Sequence, residues 1–474
     1  MLSVIYGAPW RCGIWTTRYR FRHPHAQATR HISSRFTLKE LHQRRVLRAN
    51  SATDVLAFTC SGYSTMSMSN GLPAKQAKTE DRAVSKFREY LRINTVQPDP
   101  DYGPAIKFLQ DYAKELNLST RVTEIVQGNP ILVMTWTGVD PSLPSVLLNS
   151  HMDVVPVYPE HWKYDPFEAV KEDNGNIYAR GSQDMKCVGI QYLEAIRKLQ
   201  SKGVKLLRTI HISFVPDEEV GGHRGMELFV DHEDFKKLNV AFAMDEGLAN
   251  EGPDFKVYYA ERAPWWMQVT CTGQPGHGSA FIENTAAEKL RRVINSFLDY
   301  RAQQEKILKS NPQIGIGSVN TVNFTLVKGG VQPNVVPSEM TATFDMRITP
   351  SQNLSELEAE INQWLKEAGE NITMKFLQKN MCQAVTSTDD TNPWWMAFKG
   401  ACDSMGLQIK TEVFPAATDS RYIRAGGLPA LGFSPMNNTP ILLHDHNEFL
   451  NENIFLRGID IYCEILPAIA NVPA

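Results

Sequence analysis

The sequence has few cysteines and no long apolar segment. Its seven cysteines are scattered singly, without a CxxC pair, which argues against a disulfide framework or a thiolate zinc site and suits a reducing compartment. No apolar run approaches the roughly 20 residues of a membrane span. The formal net charge is only −3, so the composition indicates neither a nucleic acid partner nor an anionic membrane surface. A chain of 474 residues can form two or more domains with separate cores.

Acidic residues are absent from the stretch before Glu40, which is rich in Arg, Ser and His. This composition resembles a mitochondrial transit peptide, and it also fits an upstream extension that carries no fold. We therefore interpret residues 1–80 as an N-terminal extension that is disordered or has a targeting role. The fold prediction starts at residue 81.

Strands alternate with helices over residues 81–260. The apolar runs PILVMTWTG, SVLLNSHMDVVP, LRTIHISFVP and NVAFAMDEG are typical of buried strands, and amphipathic stretches lie between them. One such stretch, GMELFVDHEDFKKL, predicts a single helix. The alternation favours an α/β domain with a sheet flanked by helices, with sites beyond the carboxyl ends of its strands.

The order of elements changes over residues 261–382, where it becomes β-α-β-β-α-β. That order is typical of a ferredoxin-like α+β arrangement. We interpret this segment, called the predicted lid below, as a second domain inserted in the first. Residues 383–474 return to the first domain with further strands and a closing helix.

Side chains of the types that bind metals follow the apolar strands. In the absence of thiolate pairs, imidazole and carboxylate groups are the usual protein ligands of Zn²⁺. They are His151 and Asp153 in LLNSHMD, Asp184 in ARGSQDMK, Glu218 and Glu219 in SFVPDEEVGG, Asp245 and Glu246 in FAMDEG, and His444 in LLHDHNE.

Each of these segments alone also has an ordinary structural explanation. A histidine after an apolar run is often a satisfied core or loop residue, and an acidic pair at a strand end is often a solvated turn or helix cap. The HMD segment fits a capped loop. Their shared position at strand ends is what favours a common metal site.

Six motifs occur in an order and spacing that resemble the M20 family of di-zinc metallopeptidases and amidohydrolases. They are SHMDVVP, YARGSQDMKCVG, VPDEEVGGHRG, MDEG, GQPGHGS and LHDHNE, and the resemblance covers about residues 81–474. It implies a zinc-peptidase-like catalytic domain with a mixed sheet flanked by helices, and a lid that also serves for dimerisation.

The resemblance implies two Zn²⁺ per subunit, bridged by Asp184 and by a water or hydroxide. His151 and Glu246 match the further ligands of one metal, and Glu219 and His444 match those of the other. His444 fits rather than His446, because the family pattern H-x-x-N-E continues to Asn447 and Glu448. Asp153 matches the acid that orients His151.

Glu218 matches the general base of the family, which first accepts and then returns a proton. On a strand-like backbone, neighbouring side chains point to opposite sides, so Glu219 would reach a metal while Glu218 faces the water. Asp217 is expected to be a turn residue or an acid behind the ligands.

The predicted lid carries three further residues that match the family pattern. His277, in PGHGS, matches a histidine that reaches the partner's active site in a homodimer and stabilises the oxyanion. Asn334 and Arg347 match residues that bind the substrate carboxylate or polarise the carbonyl. A tight turn at His277 and a surface ion pair at Arg347 are the structural alternatives. Arg421 and Arg424, in TDSRYIR, are further candidates for that carboxylate.

The implied reaction is zinc-dependent hydrolysis of an N-acyl-L-amino acid, with aliphatic side chains or Met preferred, by a homodimer in the cytoplasm. A mitochondrial location is possible if the N-terminal extension is a real transit peptide. Two alternatives stay within the family: a dipeptidase, and a deacylase for N-acetylornithine or succinyl-diaminopimelate. A non-catalytic scaffold is disfavoured, because the five ligand positions and the base are all present.

Overall fold

The computed structural model describes residues 80–474. The predicted N-terminal extension therefore lies outside the described residues, except for Glu80. Within the described part, no helix is both long and apolar enough to cross a membrane.

The described helices and strands are numbered here in chain order. The helices are α1 (Arg82–Leu91), α2 (Gly103–Glu115), α3 (Lys186–Ser201), α4 (Met226–Phe229), α5 (Glu233–Lys236), α6 (Ala286–Ser310), α7 (Leu354–Ala368), α8 (Pro393–Ser404), α9 (Ser420–Ala425) and α10 (Glu452–Ala470). The strands are β1 (Ser119–Val126), β2 (Asn129–Trp136), β3 (Ser145–His151), β4 (Val170–Lys171), β5 (Asn176–Tyr178), β6 (Ile210–Val215), β7 (Val240–Asp245), β8 (Phe255–Glu261), β9 (Ala263–Thr272), β10 (Gly276–His277), β11 (Thr321–Gly329), β12 (Val335–Val336), β13 (Glu339–Ile348), β14 (Ile372–Lys379), β15 (Ile409–Phe414), β16 (Ala430–Gly432) and β17 (Phe449–Asn451).

A mixed sheet of eight strands forms the larger layer, in the order β1-β2-β6-β3-β7-β16-β8-β15. Strands β3, β6, β7 and β16 run parallel, whereas at one edge β2 pairs antiparallel with β6 and β1 pairs antiparallel with β2. Alternate residues of β2 enter different cores: Leu132 packs on the side of α3 and α10, and Ile131 on the side of α4 and α9. The sheet is therefore covered by helices on both faces, as its continuous apolar strands predict.

The carboxyl ends of the central strands place the candidate site. Strand β3 ends at His151, β6 ends just before the turn that holds Glu218, and β7 ends just before Glu246. Since these strands are parallel, their ends lie at one edge of the sheet.

A smaller antiparallel sheet forms within the predicted lid, in the order β11-β13-β9-β14. Its strands and the helices α6 and α7 follow the predicted β-α-β-β-α-β order. They enclose an apolar core of their own that includes Trp265, Phe297 and Phe344. The predicted fold class, a helix-flanked mixed sheet with an inserted ferredoxin-like unit, is confirmed. The domain boundaries near residues 260 and 382 stay a prediction.

Two local predictions were wrong or incomplete. The predicted helix around residues 225–238 is two short helices, α4 and α5, because His232 caps α5 by accepting a hydrogen bond from the Asp234 N–H at 3.2 Å. Strand β1 was not predicted, since its pattern is polar and mostly exposed. Asn117, with φ 52°, turns the chain out of α2 towards this strand.

Candidate metal centre

His151 is the first of two histidines at the sheet edge. It is fully buried at the end of β3, with Nε2 3.0 Å from Asp184 Oδ1 and 3.7 Å from Glu246 Oε2. The two acids come from the turn before α3 and from the residue after β7. These three side chains are the predicted ligand set of the first metal.

His444 is the second histidine, and it faces the other oxygen of the same aspartate. Its Nε2 lies 3.2 Å from Asp184 Oδ2 and 2.9 Å from Glu219 Oε2. Asp184 therefore stands between both groups, with one carboxylate oxygen towards each histidine. This is the arrangement of a carboxylate that bridges two cations.

The spacing of these atoms fits divalent metals. Ligand atoms about 2.0–2.1 Å from a tetrahedral Zn²⁺ would be about 3.3 Å apart, and the observed separations run from 2.9 to 3.7 Å. Glu219 Oε1 is also buried without a hydrogen-bond partner among the described residues. A buried, unpaired carboxylate oxygen is costly unless a cation or a proton satisfies it. The residues present fit a pair of metal ions.

The charges of the cluster lead to the same conclusion. Burial and the neighbouring Glu246 raise the pKa of Glu218 well above its ordinary value. Burial, followed by the charge of Asp184, raises the pKa of Glu246 as well. Hydrogen bonds to Asp184 and Glu219 raise the pKa of His444 to about 10. Acids crowded in this way require positive charge nearby to stay ionised.

Asp153 connects His151 to the chain segment that carries the two glutamates. His151 Nδ1 donates to the Asp153 backbone oxygen at 2.9 Å and lies 3.4 Å from its carboxylate. This leaves Nε2 free to bind a metal. The same carboxylate accepts the backbone N–H groups of Glu218 and Glu219, each at 3.2 Å. Asp153 is therefore placed to position a ligand and the predicted base together.

The backbone around Glu218 and Glu219 is not strand-like, so the predicted alternation of side chains was wrong. Glu218–Val220 form a 3₁₀ turn after Asp217, which has a left-handed conformation with φ 57° and ψ 21°. Both glutamates face the cluster: Glu219 groups with His151 and Asp184, and Glu218 groups with His151 and Glu246. The assignment of Glu219 as a metal ligand and Glu218 as the base therefore depends on which of these two groups of side chains each glutamate joins.

Asp217 has a structural role in this turn. Its Oδ2 accepts the backbone N–H of Arg224 at 2.7 Å, and its side chain is buried. Burial raises its pKa to about 6. Gly221 and Gly222 follow with φ 112° and 67°, which are conformations that favour glycine. Asp217 thus stabilises the turn through a hydrogen bond from its buried side chain.

Comparison with known proteins places the chain in a family. The model of peptidase family M20/M25/M40 matches residues 147–468. This chain belongs to that M20 family. It is 58% identical to mouse aminoacylase-1 over 402 residues, which cover 85% of this chain and 98% of the mouse protein. It is 55% identical to human aminoacylase-1 over 403 residues, covering 85% and 99% of the two chains.

Solved structures support the same fold. An M20 family metallo-carboxypeptidase from Sulfolobus solfataricus aligns with a TM-score of 0.62 at 18% identity, covering 82% of this chain and all of that one. At this identity, the likeness shows the fold alone.

In this M20 member, His277 and Asn334 are neighbours in the predicted lid. His277, on β10, is exposed, and its Nδ1 lies 2.8 Å from Ser279 Oγ. Asn334 is exposed beside it, and its backbone oxygen accepts the Gly278 N–H at 2.8 Å. Among the described residues, no hydrogen bond or ion pair links either residue to the predicted metal ligands. The structure brings the backbone segments of these two residues together but does not bring them to the cluster.

Arg347 lies on β13 in a cavity of about 520 Å³ at the base of the predicted lid. Arg262, Arg301 and Lys309 also line this cavity, against Asp345 and Glu305. Arg347 Nε donates to Asp345 Oδ1 at 2.8 Å. None of the five predicted metal ligands lines this cavity.

The two arginines of TDSRYIR differ in whether all their guanidinium nitrogens already have hydrogen-bond partners. The Arg424 guanidinium is buried and donates to Glu261 Oε1 and to the backbone oxygens of Tyr258 and Ala430. The prediction that Arg424 binds substrate is corrected, because each of its nitrogens already has a partner within the protein. Arg421 donates to the Gly221 backbone oxygen at 2.7 Å, but its buried Nε has no partner among the described residues.

Sequence reasoning missed the buried residues that join the ligand loops. Glu448 was only part of the H-x-x-N-E pattern, yet its carboxylate accepts the Gln183 N–H at 2.6 Å and pairs with Arg180 at 2.7 Å. It thereby ties the turn of Asp184 to the loop of His444. The available signal was the H-x-x-N-E pattern, because it places Glu448 four residues after the predicted ligand His444.

Proposed function

We propose that this chain is a zinc-dependent amidohydrolase that cleaves N-acyl-L-amino acids to a carboxylate and a free L-amino acid. Aliphatic side chains and Met are the proposed preference. The observation that carries this proposal is Asp184, which stands between His151 and His444 with one oxygen towards each. Identities of 55–58% to aminoacylase-1 proteins supply the substrate class.

The proposed cofactor is two Zn²⁺ per subunit, held by His151, Asp184, Glu219, Glu246 and His444. When bound, two such cations lower the pKa of a water molecule and polarise the carbonyl of the amide. Asp153 supports this site by keeping the proton of His151 on Nδ1.

Glu218 is the proposed general base. It accepts a proton from the attacking water at its carboxylate and passes that proton to the amine nitrogen as the C–N bond breaks. Its buried position beside Glu246 favours the protonated form, as a proton donor to the amine requires. Nearby cations favour the ionised form that the first step needs.

Binding of the substrate carboxylate is proposed for Arg347, with Asn334, and for Arg421. The unpartnered Nε of Arg421 supports the last assignment, because a buried donor without an acceptor is costly until a ligand satisfies it. Arg347 faces a cavity with three other cationic side chains, which is suited to an anion.

We further propose a homodimer through the predicted lid, in which His277 stabilises the oxyanion at the partner's site. Strand β11 lies at the edge of the small sheet, and Leu326 and Val327 on it are 54% and 56% exposed. An unpaired apolar edge is a surface that a second chain can cover. The exposure of His277, away from the cluster of its own chain, supports the same arrangement.

The proposed compartment is the cytosol. The five cysteines of the described residues are unpaired, and four of them are buried. This is consistent with a reducing environment.

Replacing Glu218 by Gln tests the proposed mechanism. The amide is similar in shape but cannot accept the proton, so turnover of N-acetyl-L-methionine should fall by at least about 100-fold. Metal content should stay at the wild-type level. Glu233→Gln, at an exposed glutamate of α5, is the matched control and should behave like wild type. Normal turnover by Glu218→Gln would exclude Glu218 as the base.

A substrate panel tests the proposed specificity against the two alternatives within the family. We expect N-acetyl-L-methionine to give the highest kcat/KM among N-acyl-L-amino acids, dipeptides, N-acetylornithine and succinyl-diaminopimelate. A dipeptide or a diamino acid derivative at the top of that ranking would replace the proposed substrate class while leaving the metal site intact.

A further inference from the structure

A short segment before α2 runs alongside the residues that follow His151. Thr95 Oγ1 donates to the Met152 backbone oxygen at 2.6 Å, and the Val154 N–H donates to the Thr95 backbone oxygen at 3.1 Å. The Gln97 N–H donates in turn to the Val154 backbone oxygen at 3.0 Å. These bonds fix the backbone of Gln97 next to the HMD segment.

The side chain of Gln97 is 6% exposed, and both ends of its amide are bonded. Its Nε2 donates to Asp153 Oδ2 at 2.8 Å and to the Tyr102 hydroxyl at 3.3 Å. Its Oε1 accepts the Asp99 N–H at 3.2 Å. The orientation of the amide is therefore fixed, with its two hydrogens towards Asp153 and Tyr102.

Those two acceptors hold three successive N–H groups of the catalytic turn. The Tyr102 hydroxyl accepts the Asp217 N–H at 3.3 Å. The Asp153 carboxylate accepts the next two, from Glu218 and Glu219, at 3.2 Å each. One neutral amide thus contacts both groups to which the turn is anchored.

The turn needs such an anchor. Asp217 has a left-handed backbone, which is unfavourable for a residue with a side chain. The two glutamates that follow are half-buried, and like charges held this close repel each other. A neutral donor can hold the Asp153 carboxylate in place without removing the negative charge that binds the backbone N–H groups.

We propose that Gln97 is a positioning residue for the reaction. It aligns Asp153 and Tyr102, and these in turn hold the backbone from which Glu218 reaches its proton. The proposal rests on the proposed function only for the identity of the reaction. Gln97 is not among the proposed metal ligands or substrate-binding residues.

The test compares the same substitution at two buried glutamines. Gln97→Met removes the amide while keeping most of the volume. Gln191→Met is the matched control, since Gln191 is fully buried in α3 and donates to the Phe455 backbone oxygen at 3.0 Å, outside the network. We expect Gln97→Met to lower kcat for N-acetyl-L-methionine by about 10- to 100-fold. KM should stay within about threefold, because the groups proposed to bind substrate are unchanged.

A second readout does not depend on activity. In the metal-loaded protein, hydrogen–deuterium exchange of residues 217–219 should rise by about tenfold or more in Gln97→Met and not in Gln191→Met, because only the first change releases the acceptors of these N–H groups. If Gln97→Met does not fold, Gln97→Asn keeps the polar amide but shortens its reach, and the same two effects are expected.

The outcomes separate the two proposals. Wild-type kcat together with unchanged exchange at residues 217–219 would overturn the role of Gln97. Equal losses of kcat in the Gln97 and Gln191 variants would also overturn it, since they would reflect a general loss of stability. A wild-type protein that does not hydrolyse N-acyl-L-amino acids would contradict the proposed function, and the exchange measurement would then still decide whether Gln97 anchors the turn.

Discussion

Arg424 and Glu261 form a buried ion pair, with Nη1 of the arginine 2.9 Å from Oε1 of the glutamate. The two side chains are 3% and 6% exposed. Glu261 ends β8, where the chain enters the predicted lid, and its carboxylate also accepts from the Thr418 N–H and hydroxyl. The pair therefore joins the start of the predicted lid to the chain around α9.

Loss of Arg424 should reduce stability rather than substrate binding. Arg424→Met leaves the Glu261 carboxylate buried without its partner, so the free energy of unfolding should fall by about 3–5 kcal/mol in urea denaturation. The double variant Arg424→Met, Glu261→Gln should recover part of that loss. A large rise in KM without loss of stability would instead return Arg424 to the substrate site.

Arg347 should recognise the charge of the substrate carboxylate. For Arg347→Met, we expect kcat/KM for N-acetyl-L-methionine to fall by about 10- to 100-fold, in line with about 1.5–3 kcal/mol for a hydrogen bond to a charged group. The neutral methionine amide analogue should be affected much less. Arg291→Met, at an exposed arginine of α6 that does not line the cavity, is the control and should change both substrates little. Equal effects on both substrates would contradict carboxylate recognition by Arg347.

Mixed dimers should reveal whether His277 acts across subunits. Glu218→Gln and His277→Asn should each be nearly inactive alone. When the two chains are coexpressed, one site of each mixed dimer combines an intact Glu218 with the partner's intact histidine, so about a quarter of wild-type activity should return. Activity that stays at the level of the separate variants would show that His277 does not complete a site in the other chain.

His211 should make stability depend on pH in mild acid. Burial lowers its pKa to about 4, from an ordinary 6.5, and its Nδ1 lies 2.9 Å from Thr135 Oγ1. Because the unfolded chain binds the proton more readily, stability is fully present above pH 6.5 and is lost as the pH falls towards 4. The loss corresponds to about 3 kcal/mol.

This pH effect can be measured by comparing variants. Urea denaturation between pH 7 and pH 4 should show a smaller loss for His211→Asn than for wild type. His161→Asn, at an exposed histidine, should follow the wild-type curve. Parallel curves for all three proteins would show that His211 does not contribute.

The sequence indicated candidate metal ligands but not the residues that support them. His151, Asp184 and His444 stand in short motifs, and their chemical types indicate a metal site before any contact is known. Gln97 gives no such signal, because its partner Asp153 is 56 positions away and a glutamine before a proline suggests only a loop. Arg424 shows the opposite error. An arginine in a motif near the site suggests a residue that binds an anionic ligand, but the Arg424 guanidinium is already paired with Glu261.

The fold was predictable where periodicity was strong. Strands β3 and β6 carry clusters of β-branched and other apolar residues and are buried along their whole length, so their prediction held. The 3₁₀ turn at Glu218 was not predictable, since it depends on acceptors supplied by Asp153 and Tyr102, which are distant in the sequence.

The most direct test of the account is to measure zinc content and N-acetyl-L-methionine hydrolysis on the same protein. The purified wild-type chain should bind about two Zn²⁺ per subunit, lose both metal and turnover with a chelator, and regain turnover as two equivalents of Zn²⁺ are returned. Full turnover by protein that retains almost no metal would contradict the central claim.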